Sequence, residues 1–242
     1  VLFRSAPITP EAAAEAFKAI EQARAAAGRV TERERAFLEA LARRYAADPN
    51  AARPPLDAAY ADAMRALVKQ FPDDQDAQTL FAQSLMDTSP WSYWNQDGSP
   101  KPLTPEVLGA LEAVLTKNPQ HIGAIHLYIH AVEASPNPGR ATQYADRLAA
   151  LSPGAGHLVH MPSHIYLRTG RLRDASTANE NALKVDEVYI AQKNRAAGNM
   201  TYEVGYYPHN PHFLVASATL EGREDVARSE EHTSELQSRL HL

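Results

Sequence analysis

The sequence predicts an all-α fold, a solenoid of antiparallel helix pairs stacked one on the next. The chain is rich in Ala, Leu, Glu and Arg, which favour helices, and it has no run of β-branched residues typical of a strand. The histidines of the motif HLYIH, His126 and His130, recur 34 residues later as His160 and His164. A fixed period of this size indicates repeated helical pairs.

Local signals place the first three helices. A capping hydroxyl followed by proline, Thr9-Pro10, is typical of a helix start. Thr31 and Glu34 form a capping box that starts the second helix, and the third follows a break at Pro54-Pro55. The predicted helices span about residues 10–28, 31–47 and 56–71.

Repeat units follow at residues 75–121, 122–155 and 156–189, and a partial unit begins near residue 208. The first of these units exceeds the period by 13 residues (47 against 34). Gly170 and Gly222 are predicted to form the turns between the two helices of the last two units.

The apolar positions of these units resemble the tetratricopeptide repeat (TPR) family, whose 34-residue unit is a helix A, a turn and a helix B. The unit from 122 to 155 places these residues at the family's small or apolar positions and its closing proline: Ile129, Val132, Ala141, Ala145, Leu148 and Pro153. Asn179 departs from the pattern, because its position is normally apolar. The resemblance implies a right-handed superhelix whose helices A line a concave groove. The motifs HLYIH, HMPSHIY and YPHNPHF also resemble a poorly characterised group of bacterial TPR proteins.

Two insertions interrupt the repeat, at about residues 88–103 and 191–207. Aromatic-rich insertions in a solenoid often form part of its binding face. The two alternatives are a lid over the groove and a plug that fills gaps in the superhelix. The candidate lid residues are Trp91, Trp94, Tyr206 and Tyr207.

The two ends of the chain look foreign. The segment RSEEHTSELQS, residues 228–238, resembles the translated read-through of a common sequencing adapter, and LFRS, residues 2–5, resembles the reverse end of one. We expect residues 6–227 to be a TPR-like repeat domain truncated at both ends, and residues 1–5 and 228–242 to be artefacts. The true N-terminus would then be missing, and a cytoplasmic location is only the default expectation.

Composition excludes several classes of function. A net charge of −5 with no basic stripe argues against nucleic-acid binding, and the apolar runs are too short to span a membrane. The chain has no cysteine, so a metal site would need His, Asp or Glu ligands.

Seven of the eight histidines within residues 6–227 fall in three motifs, HLYIH, HLVHMPSHIY and HNPH. The TPR resemblance places them on the concave groove together with an acid and an arginine, and residues at i, i+3 and i+4 share one helix face. The predicted groove residues are His126, His130, Glu133, His157, His160, His164, Arg168, His209 and His212.

Three interpretations of this groove remain open. The first is a TPR-type protein that binds a peptide or small acidic ligand through histidines and Arg168. The second is a metal-dependent hydrolase, with Glu133 as candidate base and a divalent transition metal such as zinc. The third is structural, with imidazoles hydrogen-bonded across helix seams. The candidate metal ligands are His126, His130, His160, His164 and His212.

Prolines complicate the geometry of two motifs. If a helix begins at Pro162, His157 and His160 lie in an approach loop rather than in the same helix as His164. Asn210-Pro211 predicts a helix start with His209 just outside it. Polar residues of the neighbouring helix B are expected to be solvated or to serve packing: Asn179, Glu180, Asn181 and Asp186.

Overall fold

The computed structural model describes residues 8–193 and 207–228, and within these ranges the chain is all-helical. The β-type pairing within these ranges consists of one isolated antiparallel bridge, between Trp94 and Pro100. The helices are α1 (Pro10–Ala25), α2 (Glu32–Ala42), α3 (Arg53–Gln70), α4 (Gln75–Thr88), α5 (Thr104–Lys117), α6 (Ile122–Val132), α7 (Thr142–Leu151), α8 (Gly156–His160), α9 (Pro162–Arg168), α10 (Leu172–Lys193) and α11 (His209–Glu221). The all-α prediction is confirmed for the described residues.

The chain divides into two compact units, one ending at Lys117 and one beginning at Asn118. The first unit contains α1 to α5, and the second contains α6 to α11. Among the described residues, no helix is both long and apolar enough to span a membrane. The ends predicted to be foreign lie largely outside the described residues, at 1–7 and 229–242.

The capping signals of the first unit are confirmed. The Thr9 hydroxyl accepts a hydrogen bond from the Ala12 amide at 3.2 Å, and Thr31 and Glu34 make both bonds of a capping box. Helix α2 ends at Ala42, about five residues before the predicted end. Helix α3 begins at Arg53, three residues before the predicted start, because prolines fit the first turn of a helix, where no amide donor is needed.

The first insertion is held by the buried residue Tyr93. The Tyr93 carbonyl accepts hydrogen bonds from the Lys101 amide at 2.9 Å and from the Thr104 hydroxyl. Trp94 is half-buried, whereas Trp91 is 41% exposed and adopts a φ of 60°, in the left-handed region. Trp91 therefore does not plug the interior of its unit.

In the second unit, neighbouring helices pack in sequence order. Helix α6 packs against α7, α7 against α9, both α8 and α9 against α10, and α10 against α11. Gly170 and Gly222 adopt φ values of 75° and 82°, as the predicted turns require. The largest fully buried apolar side chains of this unit are Ile125, Ile129, Leu148, Met161, Ile165 and Leu214.

Helices α8 and α9 form one bent segment interrupted at Pro162. Met161, which joins them, has φ −50° and ψ −38°, both right-handed helical values. Proline supplies no amide donor, and this explains the break in the helical hydrogen bonds. His157 and His160 consequently lie on a helix, and the alternative of an approach loop is wrong.

Candidate metal centre

Histidines from α6, α8, α9 and α11 meet inside the second unit, together with Glu133, which follows α6. Their potential ligand atoms form three groups, and within each group these atoms lie within 4.8 Å of one another. We call His126, His130 and His157 the α6–α8 triad, and His160, His164 and His209 the α8–α11 triad. The third group, His130, Glu133 and His164, connects the two triads.

Helical spacing explains how the paired rings come together. His126 and His130 lie one turn apart on α6, with ring centroids 5.0 Å apart. His160 and His164 lie on opposite sides of the proline, yet their centroids are only 4.8 Å apart. The helical backbone at Met161 therefore preserves the i, i+4 relation across the break.

Glu133 binds one imidazole of each triad. Its Oε1 lies 2.9 Å from Nδ1 of His130, and its Oε2 lies 2.5 Å from Nδ1 of His164. The side chain is only 22% exposed. Both oxygens are thus occupied by imidazole donors, which suits a carboxylate that orients metal ligands better than the free base predicted from the sequence.

Asn179 holds a third imidazole in a similar way. This fully buried side chain on α10 places its Oδ1 2.6 Å from Nδ1 of His160. Its Nδ2 donates to the carbonyl of Ala175 at 2.8 Å, which fixes the oxygen toward the histidine. The expectation that Asn179 serves solvation or packing therefore missed its contact. Its only signal in the sequence is an amide at a position where the TPR resemblance predicts an apolar residue.

These contacts determine where the imidazole protons lie. Carboxylate and amide oxygens only accept hydrogen bonds, so Nδ1 must carry the proton in His130, His160 and His164. A neutral imidazole with its proton on Nδ1 has a lone pair on Nε2. The Nε2 atoms of His160 and His164 are only 2.9 Å apart. When both rings are neutral, two lone pairs therefore face each other at hydrogen-bonding distance.

His209 and Phe213 complete the α8–α11 triad. Among the described residues, the buried Nε2 of His209 has no hydrogen-bond partner. The Phe213 ring lies 4.5 to 4.8 Å from the rings of all three triad histidines. His209 thus adds a third imidazole nitrogen to the triad, and Phe213 covers one side of the three rings.

Burial keeps several of these imidazoles neutral. Desolvation lowers the pKa of His160 well below its ordinary value, and the neighbouring His164 adds to the effect. Desolvation strongly lowers the pKa of His157 as well, and the neighbouring His126 adds to the effect. Desolvation and His164 lower the pKa of His209 to about 4. Neutral imidazole is the form that binds metals.

The α6–α8 triad is more open. The Nε2 atoms of His126 and His157 lie 3.1 Å apart, and both side chains are only half-buried. The third member, His130, is 1% exposed and directs its protonated Nδ1 at Glu133. This leaves an Nε2 lone pair on its opposite side.

A buried carboxylate fastens the helices that carry these histidines. Asp186 on α10 is 1% exposed, and its Oδ2 accepts a hydrogen bond from Asn210 of α11 at 2.7 Å. Its Oδ1 lies so close to Gly156, the first residue of α8, that a Cβ there would be only 1.8 Å away. Asp186 thereby joins α11 to α10 by a hydrogen bond and packs directly against the start of α8, a role that the sequence did not reveal.

Other predicted site residues lie elsewhere. His212 and Arg168 are exposed and outside all three groups. Helix α11 begins at His209, and the His209 ring lies 4.8 Å from that of Phe213, one turn later. The expectation that His209 lies just outside its helix is therefore wrong, and the expectation of His212 as a ligand stays a prediction.

The candidate lid residues lie in different parts of the chain. Tyr207 is buried in an apolar cluster with Leu183, Leu214 and Ala218, which suits packing rather than a lid. Tyr206 lies outside the described residues. Trp91 and Trp94 belong to the first compact unit.

Comparisons of the chain with protein-family models, with curated proteins and with solved structures return no match.

Proposed function

We propose that the α8–α11 triad binds a divalent transition-metal ion such as zinc. The observation that carries the proposal is the 2.9 Å approach of the Nε2 atoms of His160 and His164, with the Nδ1 atom of each ring directed at an oxygen. In neutral rings both Nε2 atoms then carry lone pairs, and a cation between them would turn their repulsion into coordination. Tetrahedral zinc with bonds of about 2.0–2.1 Å separates two ligand nitrogens by about 3.3–3.4 Å. A small outward movement of the rings would accommodate it.

The donor atoms determine the class of ion. Imidazole nitrogens suit zinc, copper, iron and nickel, whereas magnesium and calcium prefer oxygen. Three protein ligands with one open position are the pattern of catalytic rather than structural zinc. Such a centre lowers the pKa of bound water and supports hydrolysis. On this basis the protein would be a metal-dependent hydrolase in which Glu133 and Asn179 orient the ligands.

The alternative function, a groove that holds a peptide or a small acid, has weaker support. It needs imidazoles spread along a surface and a cation beside them. Instead, the rings contact one another in two compact triads, and Arg168 lies exposed outside them. Membership of the TPR family remains a prediction from the sequence motifs.

Zinc content measured by mass spectrometry after equilibrium dialysis tests the proposal. The comparison is between wild-type protein, His209→Ala and the matched control His212→Ala, which removes an exposed histidine outside the triads. We expect His209→Ala to bind less zinc than the wild type and the control to bind as much. Equal zinc content in all three proteins would refute the proposal. Hydrolysis of p-nitrophenyl acetate, measured on the same zinc-loaded samples, tests the reaction class.

A further inference from the structure

We propose that the α6–α8 triad is a second, separate site for the same class of metal ion, coupled to the first through Glu133. Only the coupling between the two sites rests on the proposed function, and the second site itself does not. The second site has its own ligands, whose potential ligand atoms lie within 4.8 Å of one another: His126, His130 and His157.

The geometry of this triad parallels that of the first. The Nε2 atoms of His126 and His157 face each other at 3.1 Å. The Nδ1 proton of His130 is directed at Glu133, so its Nε2 is left as an acceptor on the other side of the ring. Three imidazole nitrogens thus converge, with a carboxylate behind one of them, and this is a typical arrangement around protein-bound zinc.

The position of Glu133 separates the two sites. It lies between His130 and His164, whose ring centroids are 5.1 Å apart, and it contacts the Nδ1 atom of each. Because Nδ1 and Nε2 point to opposite sides of an imidazole, an ion on either Nε2 lies on the far side of its ring from the carboxylate. The arrangement therefore predicts two single-ion sites rather than one ion ligated by Glu133.

Helix α8 supplies one histidine to each site. His157 and His160 are three residues apart, and their rings stack with centroids 6.0 Å apart. The two ions would share one short helix and one counter-charge, that of Glu133. Since two like charges this close repel each other, we expect the second zinc ion to bind at least about tenfold more weakly than the first.

The experiment counts zinc ions per full-length chain by equilibrium dialysis against Zn²⁺ alone. Each single variant removes a half-buried ligand of one triad, His126→Ala or His209→Ala, and the double variant removes both. His157→Asn is a second probe of the α6–α8 triad if His126→Ala does not fold. His212→Ala is again the matched control, and circular dichroism verifies helical content.

We expect two zinc ions in the wild type and the control, one in each single variant and none in the double variant. One ion in the wild type that persists in His126→Ala would overturn the second site. Two other outcomes would also overturn it. If the wild type binds one ion that both single variants lose, the two triads share that ion. If both single variants retain it, the His130–Glu133–His164 group holds it. If only His126→Ala lowers the zinc content, the second site stands and the proposed function of the α8–α11 triad fails.

Discussion

Gly156 permits the close approach of α8 to the buried carboxylate of α10, so Gly156→Ala tests how the histidines are positioned. The added Cβ would meet Asp186 Oδ1 at 1.8 Å and Cγ at 2.5 Å. Overpacking of a core costs about 1–3 kcal/mol, and breaking the bond between Asp186 and Asn210 adds about 1–3 kcal/mol for the unsatisfied buried groups. We expect the free energy of unfolding to fall by about 2–6 kcal/mol. Zinc content should fall with it, since α8 supplies one ligand to each triad.

The assay is urea unfolding followed by circular dichroism, with zinc content measured on the same samples. Gly154→Ala is the matched control, because nothing lies within 4 Å of a Cβ at that position. We expect it to change stability by no more than about 0.5 kcal/mol. If Gly156→Ala unfolds like this control and binds as much zinc as the wild type, the proposed role of the contact in positioning α8 is wrong.

Three further predictions concern Glu133, the metal and Asp74. Glu133→Gln should weaken zinc binding about 10–100-fold, because an amide has one acceptor oxygen and holds one imidazole where the carboxylate holds two; a titration with competing chelator measures this. Free zinc at about a hundred times its dissociation constant for the α8–α11 triad should stabilise the protein by about 2.7 kcal/mol through that triad, and EDTA should remove a larger gain from the wild type than from His209→Ala in thermal unfolding. Hydrogen bonding by Arg33 lowers the pKa of Asp74, which also caps α4 through the Ala77 amide. The Asp74 carboxylate therefore contributes to stability above its ordinary pKa of 3.8, and this contribution is lost as pH falls through the lowered pKa. In urea unfolding, the difference in the free energy of unfolding between wild type and Asp74→Asn should shrink between pH 5 and pH 2.

Much of the local structure was predictable because its signals act within a few residues. The capping box at Thr31 and the left-handed turns at Gly170 and Gly222 were predicted and are present. Helix α3 begins before its predicted start, because Pro54 and Pro55 predict a break in the chain but proline also suits a first helical turn. Helix ends remain the least predictable feature because several residues satisfy the same capping chemistry.

The candidate site was predictable only in part. The i, i+4 spacing indicated that His126 and His130, and His160 and His164, would pair, and each pair lies together. The partners that orient these rings were not predictable, because contacts such as that of Glu133 with His164 depend on tertiary packing across 31 residues. Likewise, the sequence does not distinguish His209 from His212, because residues three apart share one helix face and the contact of His209 with the other histidines depends on how α11 packs.

Asn179 allows a functional role to be separated from a packing role. The resemblance to the TPR pattern predicts an apolar residue at this position, so Asn179→Leu should preserve or raise the free energy of unfolding if the local structure follows that pattern. The same change removes the amide acceptor 2.6 Å from Nδ1 of His160 and leaves only the more distant Ser163 hydroxyl, at 3.3 Å, beside that atom. The ring would then be free to place its proton on Nε2, where it blocks a metal bond, and we expect zinc affinity to fall about 10–100-fold.

Two measurements on each variant, urea unfolding and zinc affinity, distinguish these roles. Asn181→Leu is the matched control, since it adds the same side chain at an exposed position of the same helix. A variant at position 179 that is stable but binds zinc weakly would identify Asn179 as a positioning residue for the metal centre. A variant that is stable and binds zinc as tightly as the control would show that His160 keeps its tautomer without Asn179. The contact with Asn179 would then no longer be evidence for the position of the His160 proton.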